Sequence, residues 1–134
     1  MPYSFLEHTA DVRMKIKAKS REELFSEALR GLIDYLKPVR KKDAREVRRK
    51  FRITSPDETA LLVDFLSEAL RIALTRKEAY HDLSIEKLSR REFQGEFIGR
   101  PVEAFQDDIK AVTYHEARLR EDGEGLEAHV VFDI

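Results

Sequence analysis

The sequence predicts an α+β fold. It reads as one layered domain over residues 1–134, with two helices packed on a mostly antiparallel or mixed sheet in the order β-α-β-α-β-β-β-β. Three observations predict it. Two stretches of helical spacing each follow an alternating stretch. Only strand-like stretches come after Leu74. The 134 residues contain no linker and no low-complexity segment, and two full domains would be cramped in that length.

The elements follow in order. Residues 12–18 alternate: Val12, Met14, Ile16 and Ala18 point one way, and Arg13, Lys15 and Lys17 the other. That is a half-buried strand. Ser20 with Glu23 three residues on is a capping box. Behind it, Leu24, Phe25, Ala28, Leu29, Leu32, Ile33 and Leu36 form an apolar stripe at helical period, and Pro38 stops the helix. Residues 47–54 alternate again, with Val47, Phe51 and Ile53 inward. Ser55 then reads as an N-cap, Pro56 as the first helical residue and Glu58 as the box partner. The helix from Thr59 to Leu74 is apolar on most sides, which predicts the buried centre of the domain.

The two helices share an echo, Phe25-Ser-Glu-Ala-Leu-Arg30 against Leu66-Ser-Glu-Ala-Leu-Arg71, a hint of a duplicated strand–helix unit. Strands follow at about 79–88 and 91–98, then a loop around Gly99-Arg100-Pro101. Two more lie at about 109–119 and 126–133, joined by Gly123-Glu124-Gly125.

Composition removes several functional classes. Charged residues make up 38%, but 25 Lys and Arg balance 26 Asp and Glu, so neither a basic nucleic-acid coat nor an acidic tail fits. The chain has no Cys, which excludes disulfides, thiol catalysis, zinc ribbons and iron–sulfur clusters. No apolar run approaches the ~20 residues needed to cross a bilayer. Met1-Pro2-Tyr3-Ser4 does not open a secretory signal, so the expected compartment is the cytoplasm, away from the membrane. Phosphate-loop, dinucleotide, nucleophile-elbow and H-E-x-x-H motifs are all missing, which argues against a self-sufficient nucleotide-using or nucleophilic enzyme.

Four segments are unusual for a purely structural domain. Glu7-His8-Thr9-Ala10-Asp11 places three metal- or proton-binding side chains in five residues; spacing alone favours a polar turn whose Asp11 accepts backbone N–H bonds. In Val130-Val131-Phe132-Asp133-Ile134, an apolar strand runs straight into the last residue, with Asp133 beside the carboxyl of Ile134. If the first and last strands are neighbours, Asp11 joins Asp133 and that carboxyl. Like charges at ~4 Å repel by about 1–4 kcal/mol per pair, so such a cluster favours a cation. Hard oxygens suit Ca²⁺, Mg²⁺ or Mn²⁺ rather than Zn²⁺. The alternative is an exposed, unpartnered Asp. Asp107 to His115 gathers Lys110, Thr113, Tyr114 and His115, either a donor-rich contact strand or an edge strand guarded by Lys. Finally, Arg40 to Lys50 holds seven basic and two acidic residues, which could steer RNA or form a solvated face. No aromatic interrupts it to stack a base.

Taken together, the chain resembles the archease family. Glu7-His-Thr-Ala-Asp11, Ile109-Lys-Ala-Val-Thr-Tyr-His115 and Val130-Val-Phe-Asp-Ile134 carry the resemblance, in that order and over essentially the whole chain. It implies an accessory protein, not an enzyme. Its partner would be the RtcB-type, GTP-dependent RNA-splicing ligase, which joins RNA ends in tRNA splicing. The accessory protein would promote guanylylation and multiple turnover of the ligase and could broaden its nucleotide use. The family's metal site matches Asp11, Asp133 and Ile134, the cluster that the charge argument reaches separately, with calcium among the candidate ions. His8, Lys110 and His115 fall in family motifs and are expected to contact the ligase. Two positions depart from the pattern: Arg13 stands where a small residue is expected, and Leu126 where an aromatic often follows Gly125. The remaining readings are a chaperone or adaptor for an RNA-modifying enzyme such as a tRNA methyltransferase, a metal-dependent hydrolase, and an RNA-binding module built on residues 40–50.

Overall fold

The computed structural model describes residues 2–7 and 11–134. In chain order the elements are β1 (Tyr3–Glu7), β2 (Asp11–Ala18), α1 (Arg21–Leu36), β3 (Pro38–Arg40), β4 (Val47–Thr54), α2 (Glu58–Arg76), β5 (Glu78–Leu88), β6 (Glu92–Phe105), β7 (Ala111–Asp122) and β8 (Gly125–Asp133). The α+β class stands, and the expected elements appear in the expected order. Two short strands, β1 and β3, are added. β1 escapes alternation because both of its faces carry an apolar residue, with Leu6 59% exposed. β3 is three residues long and opens on Pro38.

Two further sequence expectations are corrected. Gly99-Arg100-Pro101 is not a loop: β6 runs through it, paired to β5. The N-cap of α2 is not Ser55 but Asp57, whose carboxylate accepts from Ala60 N at 2.8 Å. Ser55 is buried, and its hydroxyl donates instead to Asp64 Oδ2 at 2.5 Å. The cap of α1 holds as read: Ser20 Oγ accepts from Glu23 N at 3.2 Å, and the Glu23 carboxylate accepts from Lys19 N at 3.4 Å.

All described pairings are antiparallel and fall into two four-stranded sheets. The first has the order β1-β2-β8-β7. In the second, β6 pairs with β4 and β5 along most of its length and with β3 near its end. Both helices touch both sheets. α1 packs on β1, β2, β8 and β5, and α2 on β7, β4, β5 and β6. This explains why α2 is apolar on most sides.

Between the layers sit Phe25, Phe51, Phe65, Phe93 and Phe97, with centroids 4.4 Å apart for Phe51 and Phe97 and 5.0 Å for Phe25 and Phe93. Aromatic pairs of this kind add about 0.5–1.5 kcal/mol each beyond burial. Strand β5 breaks register at two points, beside Tyr80 and Ile85, and β6 places Gly99 and Gly95 opposite them. A Cβ at Gly99 would lie 1.9 Å from Ala79 O, so the close approach of the two backbones requires glycine.

Glu78 is the one buried carboxylate among the described residues. Arg49 donates to it twice, at 2.9 and 2.6 Å, and the Tyr80 hydroxyl donates at 2.6 Å. The Arg49 bonds hold its carboxyl below the usual glutamate range, against the upward push of burial. The depressed value means that this stability is present above the ordinary glutamate pKa and is lost as pH falls through the folded value. We expect Glu78→Gln to lower stability by about 2 kcal/mol at neutral pH, discounted for the part-exposed arginine. The difference from wild type should shrink in denaturant melts run at progressively lower acid pH.

Candidate functional site

The pairing of β2 with β8 is in register over eight positions, from Asp11↔Asp133 to Ala18↔Leu126. Val12, Met14, Ile16, Ala18, Leu126, Ala128, Val130 and Phe132 therefore all face the core. The opposite face carries Asp11, Arg13, Lys15 and Lys17 from β2, and Asp133, Val131, His129 and Glu127 from β8. β7 lies on the other side of β8 and pairs Ala111 with Asp133 and Thr113 with Val131. Asp133 is thus held between two strands, and its carbonyl accepts from Lys110 N at 2.7 Å.

Asp11 and Asp133 are directly opposed, with Cα atoms about 4.5–5.5 Å apart in such pairs. Asp11 is half-buried, Asp133 exposed and Ile134 half-buried. Asp11 Oδ1 is shut off from solvent and has no hydrogen-bond partner among the described residues. Burying a carboxylate oxygen without a hydrogen-bond partner is costly, and the nearby Arg13 charge, which Asp11 feels, makes no such bond to it. Arg13 lies next along the same face, but its guanidinium pairs with Glu116. Among the described residues no group of three His, Cys, Asp or Glu side chains comes together. A cation here would draw on main-chain oxygen or water besides the two carboxylates.

The other site residues separate. His8 lies outside the described residues, as do Thr9 and Ala10. Lys110 is exposed beside Asp133. His115 sits on a break in β7, where the register jumps from Thr113 to Arg118 and leaves residues 114–117 without partners on β8. Its side chain is 75% exposed, 3.2 Å from Glu116. The break is pinned at both ends: the Tyr114 hydroxyl donates to Asp64 of α2, and Glu116, at φ 57°, pairs with Arg13. Hydrogen bonding from Arg13 holds the Glu116 carboxyl below its ordinary range, and the bond to Asp64 raises that of Tyr114.

Sequence reasoning missed the Arg13–Glu116 pair and the Asp64 anchor, because an unpaired segment inside a strand has no period of its own. The only available signal was the loss of alternation after Thr113. The basic run at 40–50 is divided between β3, a loop and β4, and acids take up part of it: Arg49 meets Glu78, and Arg48 lies 3.5 Å from both Glu46 and Glu96.

The model of the Archease protein family (MTH1598/TM1083) matches residues 3–134. A protein archease of Methanosarcina barkeri is 31% identical, over 98% of this chain and 95% of its own length. The protein archease of Methanopyrus kandleri is also 31% identical, over 98% and 99%. Among solved structures, an archease of Thermotoga maritima, described as a possible chaperone, superposes with a TM-score of 0.68 at 25% identity, covering 96% of this chain and 94% of that one. The solution structure of Methanobacterium thermoautotrophicum protein 1598 has a TM-score of 0.72 at 22% identity and covers 99% of both chains, a likeness of fold.

Asp64 accepts from both Ser55 and Tyr114, so its loss should cost more than the loss of either donor alone. We expect Tyr114→Phe to lower stability by about 1 kcal/mol and Asp64→Ala by about 2 kcal/mol, since the latter strands the buried Ser55 hydroxyl. Thermal melts of the two variants against wild type check the order.

Proposed function

The chain belongs to the archease family, and from that premise we propose that it is an accessory protein, not itself an enzyme, that activates an RtcB-type RNA-splicing ligase in tRNA splicing in the cytoplasm. Its role would be to promote guanylylation and repeated turnover of the ligase, through a divalent cation held at the acidic end of the first sheet. The observation that carries this reading is the direct opposition of Asp11 and Asp133, with Asp11 Oδ1 buried and unpartnered among the described residues. The family resemblance supplies the ligase.

The donor set fits the group. Asp11 and Asp133 offer carboxylate oxygens and Ile134 main-chain oxygen, all hard donors that suit Ca²⁺, Mg²⁺ or Mn²⁺. When bound, the cation would supply a concentrated positive charge with coordination positions left for water or for groups of the ligase. The chain's own residues position that end. β2 and β7 fix the backbone of β8 from both sides, and the Lys110 amide holds the carbonyl of Asp133. Lys110 stands exposed beside it, and His115 is exposed farther along β7 on the unpaired segment, both open to a docking partner.

Two experiments follow. In titration calorimetry, Ca²⁺ or Mn²⁺ should bind at one site in the wild type and fail to do so in Asp11→Asn and Asp133→Asn, while the two variants keep wild-type circular dichroism. In ligation with limiting ligase, GTP and Mn²⁺, the wild type should raise turnover and both variants should lose the effect. Normal stimulation by both variants would refute the acidic-end reading. A wild type that leaves the ligase unchanged but keeps a tRNA methyltransferase from aggregating would favour the adaptor reading, in line with the Thermotoga maritima relative described as a possible chaperone.

A further inference from the structure

Three buried side-chain polar atoms lack a hydrogen-bond partner among the described residues: Asp11 Oδ1, Arg13 Nε and Thr113 Oγ1. All three lie on the outward face of the first sheet in adjacent rows. Asp11 stands in the row Asp11↔Asp133↔Ala111, and the other two flank Val131 in the row Arg13↔Val131↔Thr113. A cation explains an orphaned carboxylate oxygen. It does not explain the guanidinium N–H and the hydroxyl next to it, which call for an acceptor.

The rows beyond are also cationic. They read Lys15↔His129↔Arg118 and Lys17↔Glu127↔Arg120. This face carries Arg13, Lys15, Lys17, Arg118 and Arg120 against Asp11 and Asp133 at its end, Glu127, and the Glu116 that pairs with Arg13, in a chain whose net charge is −1. Lys15 lies 3.7 Å from Glu127, and Arg118 has no ion pair among the described residues. The helices touch the sheet from the core side. On the outward side, a cleft of about 310 Å³ opens between Arg13, Glu116, Arg118 and His129, with Val131 in its lining. Val131 is only 4% exposed although it faces away from the core.

The geometry points to this cleft as a binding site for a phosphate group, carried by a nucleotide or by an RNA end. Arg13 of β2 and Arg118 of β7 line the cleft from either side of β8, while Thr113 lies outside its lining. That arrangement suits a tetrahedral oxyanion, which accepts bonds from several directions, better than a planar carboxylate, which one arginine fork satisfies. The volume is at the lower end of the range for small-ligand sites, enough for a phosphate and part of what bears it. The site goes beyond the ligase reading and does not depend on the cation. The acidic pair lies one same-face step away, about 7 Å along the strands.

The test is pyrophosphate binding by calorimetry at low salt with EDTA present, so that failure of the metal site does not affect it. Wild type should bind saturably. Arg118→Gln and Arg13→Gln should each weaken binding about tenfold through loss of a charge-assisted donor. Glu116→Gln should tighten it by removing a like charge, an effect that mere loss of structure would not produce. Lys50→Gln, on the basic run, should bind as wild type does. Arg118 has no ion pair to lose, so that variant tests the site even if Arg13→Gln perturbs the fold. A nucleoside triphosphate that binds better than pyrophosphate would identify a nucleotide as the source. An oligoribonucleotide that binds better with a 3′-phosphate than with a 3′-hydroxyl would identify an RNA end. No saturable binding, equal affinity in the Arg13 and Arg118 variants, or loss of binding only in Lys50→Gln would overturn the proposal.

Discussion

The antiparallel register of β2 on β8 is the constraint on which the rest depends. The two strands are remote in sequence, yet one pairing fixes both sides of the sheet at once. A slip of one residue would turn Val12, Met14, Ile16, Phe132, Val130 and Ala128 out of the core, so the register is strongly specified by burial. The same register places Asp11 opposite Asp133, where two carboxylates repel. The core therefore holds together a pair of charges that would not associate unaided. Each fully buried aliphatic or Phe side chain contributes about 1.5–3 kcal/mol, and several act together, which outweighs a repulsion of about 1–4 kcal/mol.

That division separates a core face from a charged face within one strand pair. Inward residues join the aromatic and aliphatic layer shared with α1 and α2. Outward residues carry the charge, the cleft and the unpaired segment 114–117. The segment is joined to both sides of the molecule: Tyr114 reaches Asp64 of α2, and Glu116 reaches Arg13 of β2. Substitutions at Asp11 or Asp133 relieve the repulsion between them, so their effects on stability and on binding are measured separately.

Much of the fold was legible because it is locally encoded. The alternation of residues 12–18, the Ser20 cap and the all-round apolar α2 each follow from a few neighbouring letters. What was not legible depended on tertiary contacts. Gly99 and Pro101 punctuate a sequence, yet β6 passes through them because β5 comes too close there for any Cβ. Ser55 and Asp57 are both good caps; the choice fell to Asp57 because Asp64 holds the Ser55 hydroxyl. The acidic pair could be inferred from two alternating strands if they were neighbours, and they are. The cationic cleft could not, because its rows depend on where β7 leaves and rejoins β8.

The most direct test of the acidic end is the pattern of paramagnetic broadening when Mn²⁺ is titrated into the ¹⁵N-labelled protein. The account predicts that amides at 11–13, 110–113 and 131–134 broaden first and together, and that Asp133→Asn removes the effect. Broadening spread over surface carboxylates such as Glu22, Glu86 and Glu124, with no preference for the β2–β8 end, would contradict it.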